Sequence, residues 1–230
     1  MLQVHRDLQQ GSLEWLQARC GLLTASEMRL IVTPTLKAAS NDKERAHLYE
    51  LLAQRITGYV EPHFISDDML RGQEDEIEAR LLYASTYAPV EEAGFITNDR
   101  FGFTLGYSPD GLVGDHGLIE CKSRCQKYQL QTLVEHVPAG TIPDDYLIQV
   151  QTGLMIAERE WCDFISYCGG LPMATIRVFP DARIQDAILC AAAGFEERLA
   201  HKTVIYRDAL ASDARLIPTD RKIFEEITLG

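Results

Sequence analysis

The sequence has no apolar run approaching the roughly 20 residues that a membrane span requires. Residues 1–10 are polar where a secretory leader would carry an apolar stretch. Both absences lead us to expect a cytoplasmic protein without membrane contact. None of the six cysteines, Cys20, Cys121, Cys125, Cys162, Cys168 and Cys190, forms a pair at the two-residue spacing of a zinc site. They read instead as reduced thiols, several of them in the core. There is no internal repeat, no low-complexity tract and no linker, since Gly and Pro are spread along the chain, so residues 1–230 are expected to form one domain. Positive charge is also short: 22 Lys and Arg face 34 Asp and Glu, a net charge of −12. That counts against a protein that coats nucleic acid with a broad basic surface. It does not exclude an enzyme acting on DNA, because carboxylates that hold divalent cations are part of such sites and the cation inverts the local field.

What is present is 46% hydrophobic and 24% charged residues, the balance of a globular domain. The order is helical, then strand-rich, then helical. Residues 12–19 predict a short helix with Leu13 and Leu16. Thr24-Ala25-Ser26-Glu27 has the capping-box pattern and predicts a second helix capped by Thr24. Leu48, Leu51, Leu52 and Ile56 form the apolar face of a third helix over 42–57. A fourth begins near Asp67 and runs past Leu82, with an apolar stripe of Leu70, Ile77 and Leu81 beside a polar stripe of Gln73, Glu76, Arg80 and Tyr83. Residues 92–108, aromatic and β-branched with glycine breaks, predict a hairpin, and Ser108-Pro109-Asp110-Gly111 a turn. Strands follow at 118–123, 161–167 and 174–179, and helices at 143–157 and 181–201. The fold class is α/β (α+β): a central mixed sheet flanked by helices.

The chemistry concentrates at Asp110 and Glu120-Cys121-Lys122. Alternation along a strand puts Glu120 and Lys122 on one face and turns Ile119 and Cys121 into apolar packing. With Asp110 supplied by the preceding turn, two carboxylates and the main-chain carbonyl of Cys121 offer hard oxygen ligands suited to Mg²⁺ or Mn²⁺. Lys122 can orient an attacking water and offset charge on a pentavalent phosphate. Glu76 on the fourth helix and Gln149, near the apolar face of the helix over 143–157, could complete the site.

In this order, Gln10-Gly11, Trp15, Arg19, Gly21, Thr24-Ala25-Ser26-Glu27, Gly72, Glu76, Ser108-Pro109-Asp110-Gly111, Glu120-Cys121-Lys122 and Gln149-Val150-Gln151 resemble the lambda-exonuclease or YqaJ-like viral recombinase family. That family lies within the PD-(D/E)XK nuclease superfamily and has a restriction-endonuclease-like core. The likeness spans about residues 10–160. It implies an Mg²⁺-dependent exodeoxyribonuclease that processively degrades one strand of linear duplex DNA from its 5′ end to mononucleotides, leaving a 3′ single strand for phage-type recombination. It further implies a single-strand annealing partner, a ring of three copies, and a phage or prophage gene expressed in a bacterial host. Position by position, Asp110, Glu120, Glu76 and the Cys121 carbonyl become metal ligands, Lys122 the catalytic lysine and Gln149 a polar contact at the reaction centre. Arg19 and Ser26 become 5′-phosphate binders, with Trp15 beside them on the DNA side. A helix capped at Thr24 would aim free N–H groups near Ser26 at that phosphate, and Arg19 could close over it with two hydrogen bonds. Arg71 departs from the pattern, standing where the family often has an aromatic residue before Gly72. Two alternatives stand beside this reading: an endonuclease of the same superfamily, and a DNA-end binding protein without catalysis.

Overall fold

Short apolar segments bounded by turns, alternating with longer amphipathic ones, fold here into two four-stranded mixed sheets and the helices that cover them. The structure is a computed structural model that describes residues 1–62 and 67–221. The expectation of one domain over 1–230 therefore extends across residues 63–66 and 222–230, which lie outside the described residues.

The first sheet has the order β1-β3-β4-β2, built from β1 (Leu2–His5), β2 (Leu23–Thr24), β3 (Phe95–Asn98) and β4 (Leu105–Tyr107). The β3–β4 hairpin is antiparallel, as the 92–108 pattern predicts, and β2 runs parallel to β4. The second sheet has the order β5-β6-β7-β8, from β5 (Gly111–Val113), β6 (Gly117–Ser123), β7 (Trp161–Tyr167) and β8 (Ala174–Val178). Its central pair, β6 and β7, is parallel and joined by a helical crossover, as parallel neighbours require. The single central sheet expected from the sequence is thus divided in two. The Ser108-Pro109 turn carries the chain off β4, and β5 pairs with β6 rather than with β4.

Around the sheets lie α1 (Leu13–Arg19), α2 (Asp42–Thr57), α3 (Asp67–Thr86), α4 (Gln126–Gln131), α5 (Val137–Ala139), α6 (Asp144–Ala157) and α7 (Ala182–Ala211). Helix α2 has the expected bounds because its ends are chemically marked. Asn41 accepts from the N–H groups of Lys43 and Glu44, and Gly58 leaves the helix at φ 64°, in the left-handed region glycine favours. Helix α7 outruns the expected 181–201. Its buried positions, from Ile184 to Leu199, end where the apolar periodicity ends, but the helix continues past them into solvent.

Two expectations are corrected. No long helix starts at Thr24: that residue ends β2, and only a three-residue 3₁₀ turn, Met28–Leu30, follows. The capping-box side chains do meet, with Thr24 donating to Glu27 at 2.6 Å, but they close a tight turn rather than begin an α-helix. On α3 the expected apolar face is reversed. Leu70, Ile77 and Leu81 are exposed, while Ala79 and Tyr83 are the buried positions and Glu76 and Arg80 turn partly inward. Ala79 and Tyr83 pack on Ile119, Cys121 and Ile165, while the Tyr83 hydroxyl donates to Asp163 and Arg80 to the Asp110 carbonyl, which turns this side of the helix inward.

One apolar cluster runs through both sheets, from Leu23, Ile96 and Leu105 to Leu118, Leu154, Cys162, Phe164 and Phe195. A second, smaller one lies between α3 and the second sheet and includes Ala79, Tyr83, Ile119, Cys121 and Ile165. Ile119 and Cys121 therefore point where the alternation predicts, and Glu120 and Lys122 are left on the opposite face.

Candidate active site

Glu120 is 1% exposed in the middle of β6, where an unpaired carboxylate would be costly. It is held on every side. Lys122 Nζ is 2.7 Å from Oε1, the Gln149 amide on α6 donates to the same oxygen, and the Tyr107 hydroxyl donates to Oε2 at 2.7 Å. Tyr107 reaches across because α6 carries Gly153 at the crossing: a Cβ there would stand 2.7 Å from the tyrosine ring. The glycine is thus a positioning feature for the carboxylate.

Asp110 follows β4 by way of the Ser108-Pro109 turn. Its Oδ2 accepts the Cys121 N–H at 2.6 Å, which fastens the turn to β6. The Gln10 amide donates to the Pro109 carbonyl at 2.9 Å, and Arg80 to the Asp110 carbonyl at 3.2 Å. Burial, and after it the charge of Glu120, hold the Asp110 carboxyl well above its usual range. Burial likewise raises Glu76, and Lys122 partly offsets it. Burial works against the Lys122 ammonium, but Glu120, Asp110 and Glu76 together outweigh it and keep its pKa above that of free lysine.

Electrostatically, then, Glu76, Asp110 and Glu120 face the ammonium of Lys122, while Arg80 acts on Glu76 and also pairs with Glu92 at 3.0 Å. Among the described residues no three His, Cys, Asp or Glu side chains are gathered as a ready-made metal cluster. The carboxylate oxygens of Glu120 and Asp110 are instead taken up by Lys122, Gln149, Tyr107 and the Cys121 N–H. The donor set nevertheless fits a hard divalent cation. It is all oxygen, and its carboxylates exceed the charge of Lys122.

A second group of residues lies at the other end of the same turn. Arg19, at the end of α1, donates to Ser108 Oγ and to Thr24 Oγ1, both at 3.2 Å. Its guanidinium lies 4.3 Å from the Trp15 ring centroid. The Trp15 indole N–H donates to Ser108 Oγ at 3.0 Å, and Ser26 Oγ is 3.3 Å from Thr24 Oγ1. Burial lowers the Arg19 pKa, and no ion pair forms at this guanidinium among the described residues. Arg19, Ser26 and Trp15 are therefore brought together as expected, but a helix terminus at Thr24 is not part of the arrangement.

Sequence reasoning missed Ser108, Thr24 and Tyr107. Ser108 was visible only as a turn residue, Thr24 only as a cap, and nothing local marks Tyr107 as a partner of Glu120. The Ser108-Pro109-Asp110 segment now joins a carboxylate cluster at one end to an arginine–hydroxyl pocket at the other.

The domain described as YqaJ-like viral recombinase matches residues 14–160. The chain belongs to that family. Among solved structures, the alkaline exonuclease LHK-Exo from Laribacter hongkongensis is 31% identical, with a TM-score of 0.70 over 87% of this chain and 99% of that one. LHK-Exo in complex with dAMP is 33% identical, with a TM-score of 0.71 over the same shares, 87% and 99%. A phage-related exonuclease from Haemophilus somnus 129PT shares the fold, at 15% identity and a TM-score of 0.53, over 79% of this chain and 96% of that one. No curated protein matches the sequence. Arg19, Glu76, Asp110, Glu120, Lys122 and Gln149 all fall inside the YqaJ-like span.

Proposed function

We propose that this chain is a divalent-metal-dependent exodeoxyribonuclease that digests one strand of linear duplex DNA from the 5′ end and leaves a 3′ single strand for recombination. The observation that carries the reading is the cluster of Glu76, Asp110 and Glu120 around Lys122, in a chain 31% identical to an alkaline exonuclease. The dAMP complex of that enzyme supports a deoxynucleotide product.

Asp110, Glu120, Glu76 and the main-chain carbonyl of Cys121 would hold Mg²⁺, with Mn²⁺ able to substitute. When bound, the cation acidifies water and neutralises charge at the scissile phosphate. Lys122 keeps its proton at neutral pH, so it donates to the attacking water and to the phosphate oxygens as charge grows on them. Gln149 and Tyr107 hold the two oxygens of Glu120 in one orientation. Arg19, Ser26 and Ser108, with Trp15 behind the guanidinium, receive the 5′ phosphate and set the register of the strand.

The whole chain acts as one domain in this reading, in the cytoplasm of a bacterial host, with a single-strand annealing protein as partner. Three copies form a ring around the DNA. An acidic enzyme is repelled at each rebinding step, and a closed ring removes that step. The exposed Leu70, Ile77 and Leu81 of α3 offer an apolar surface for such a contact. No helix among the described residues is long and apolar enough to cross a membrane.

Digestion of linear duplex labelled at the 5′ or the 3′ end, with Mg²⁺ or with EDTA, tests the proposal. Early release of 5′ label only with Mg²⁺ is expected. Cutting of covalently closed circles would point to the endonuclease, and end binding without cleavage to a non-catalytic protein. Sedimentation equilibrium decides the ring: a mass near the 25.9 kDa of one chain, combined with processive digestion, would exclude it.

A further inference from the structure

Strand β6 does not stop contributing side chains at Lys122. The Arg124 N–H donates to the Tyr167 carbonyl at 2.7 Å, so the ladder with β7 runs on past Ser123. Strand alternation then sets Glu120, Lys122 and Arg124 in a row on one face. Each step of two residues is about 6.6 Å, from roughly 3.3 Å per strand residue. That is comparable to the step between neighbouring phosphates along a nucleic-acid strand.

Arg124 stands in a pocket of about 580 Å³ that opens beside Lys122, and its surroundings are unusual for an arginine. The guanidinium carbon lies 5.1 Å from the ring centroids of both Tyr128 and Tyr146. Nη1 donates to the Tyr146 hydroxyl at 2.5 Å. Tyr146 is itself fixed against Phe164, at 5.3 Å, and its ring lies 5.9 Å from Lys122 Nζ. The Nε of Arg124 is out of contact with water and has no hydrogen-bond partner among the described residues. Glu135, Asp144 and Asp145 also line the pocket, yet no ion pair with Arg124 forms among the described residues. An arginine braced on two rings, with an orphaned donor and no carboxylate partner, is arranged for an anion from outside the chain. A turn of the guanidinium would present its Nε–Nη2 edge, the side that grips phosphate with two parallel hydrogen bonds.

We propose that Arg124, braced by Tyr128 and Tyr146, binds the phosphodiester next to the scissile one. This deepens the reading of the chain as a DNA nuclease. The row then has a division of labour: Glu120 and Lys122 act at the reacting phosphate, and Arg124 holds the next one in line.

Two measurements test this separately from the nuclease assignment. The first is binding of a fluorescein-labelled oligodeoxythymidine in EDTA, followed by anisotropy across a salt series. Arg124→Gln is expected to weaken binding about tenfold and to lower the slope of log affinity against log salt by about 0.7, one single-strand phosphate contact. Arg124→Lys keeps the charge without the fork and should restore the slope but not the full affinity. The second is digestion of linear duplex with Mg²⁺. Arg124→Gln should raise KM about tenfold with kcat within about twofold, whereas Lys122→Ala loses kcat. An unchanged salt slope in a folded Arg124→Gln protein overturns the proposal, as does a kcat loss at constant KM. If Arg124→Gln does not fold, Arg124→Lys decides through affinity alone, and wild-type affinity in that variant overturns it. Absence of oligonucleotide binding by the wild type also overturns it. Binding with the expected slope change, but no digestion by the wild type, leaves Arg124 in place and removes the nuclease reading.

Discussion

The two faces of the β6–β7 pair each bury a carboxylate cluster, and the two clusters are put together in opposite ways. Opposite Ile119, on the α3 side, Asp163 on β7 is met by Arg177 with two bonds of 2.8 Å and by the Tyr83 hydroxyl at 2.6 Å. Arg177 in turn lies 3.7 Å from the Trp161 ring centroid. One anion meets one cation there, and both carboxylate oxygens are engaged. On the other face, Glu120 shares Lys122 with Asp110 and Glu76, and burial pushes the latter two carboxyls up. The balanced cluster binds α3 to the sheet. The unbalanced one crowds three carboxyl groups around Lys122, a crowding that a bound divalent cation would relieve. The pocket at Arg19 is its counterpart in sign, a guanidinium among hydroxyls and rings that feels the charge of Glu27 but forms no ion pair among the described residues.

The largest effect should come from breaking the unbalanced cluster. Lys122→Ala removes a group that acts mainly on charge developing in the transition state. We expect kcat per folded molecule on linear duplex DNA with Mg²⁺ to fall at least ~100-fold, and Tm to fall as well, because buried Glu120 loses its cation. Activity within a few-fold of wild type would take Lys122 out of the chemistry.

The converse substitution, on the balanced side, should cost stability and spare catalysis. Arg177→Ala leaves Asp163 buried with Tyr83 alone. Because Arg177 is 46% exposed, the loss is set below that of a fully buried pair, at about 2 kcal/mol. For a chain of this size that is roughly 4–8 °C in Tm. The kcat of the folded fraction should stay within about twofold. A large kcat loss at unchanged Tm would show that the two faces are not separable.

At the positively charged pocket the expected effect is smaller and concerns choice rather than rate. Wild type should digest duplex with a 5′ phosphate faster than duplex with a 5′ hydroxyl. Arg19→Ala should reduce that ratio about tenfold, the worth of a charge-assisted hydrogen bond or two. Equal rates on the two substrates in the wild type would remove the pocket from the mechanism.

These contrasts also mark what could be read from the chain directly. Helices α2 and α6 and the placement of Glu120 and Lys122 on one face follow from local periodicity, and the structure has them where periodicity puts them. Strands β1 and β2, four and two residues long, exist only through partners distant in sequence, such as Leu2 against Asn98 and Leu23 against Leu105. The helical run from Gln126 to Ala139 went unread because it passes through a π turn and exposes Leu130 and Val134, so no regular apolar stripe marks it. The Asp163–Arg177–Tyr83 cluster draws on β7, β8 and α3, and Tyr107 reaches Glu120 only past Gly153 on another element. Along β6 local pattern shows which way a side chain faces, whereas on α3 it does not, since Leu70, Ile77 and Leu81 are exposed. Charge balance is decided by several segments at once, so the difference between the two carboxylate clusters appears only after folding.

The finest test of that difference is thermodynamic. Asp110→Asn keeps an oxygen for the Cys121 N–H and removes one of the crowded charges. In the folded protein burial, then Glu120, raise the Asp110 pKa, whereas the unfolded chain has the ordinary value. Between the two values the folded state retains a proton the unfolded state has lost. This group's contribution to stability is therefore complete at pH below the ordinary carboxylate value, and it declines as pH rises toward the raised one. The asparagine variant has no such decline. In EDTA its Tm should match wild type at low pH and exceed it by about 2–4 °C near neutrality, corresponding to about 1 kcal/mol. Added Mg²⁺ should raise the wild-type Tm by binding only the folded state, and do little for the variant. Differential scanning calorimetry across pH, with and without Mg²⁺, reads both effects. If the variant melts below wild type at neutral pH in EDTA, Asp110 is a stabilising group like Asp163, and the contrast between the two faces fails.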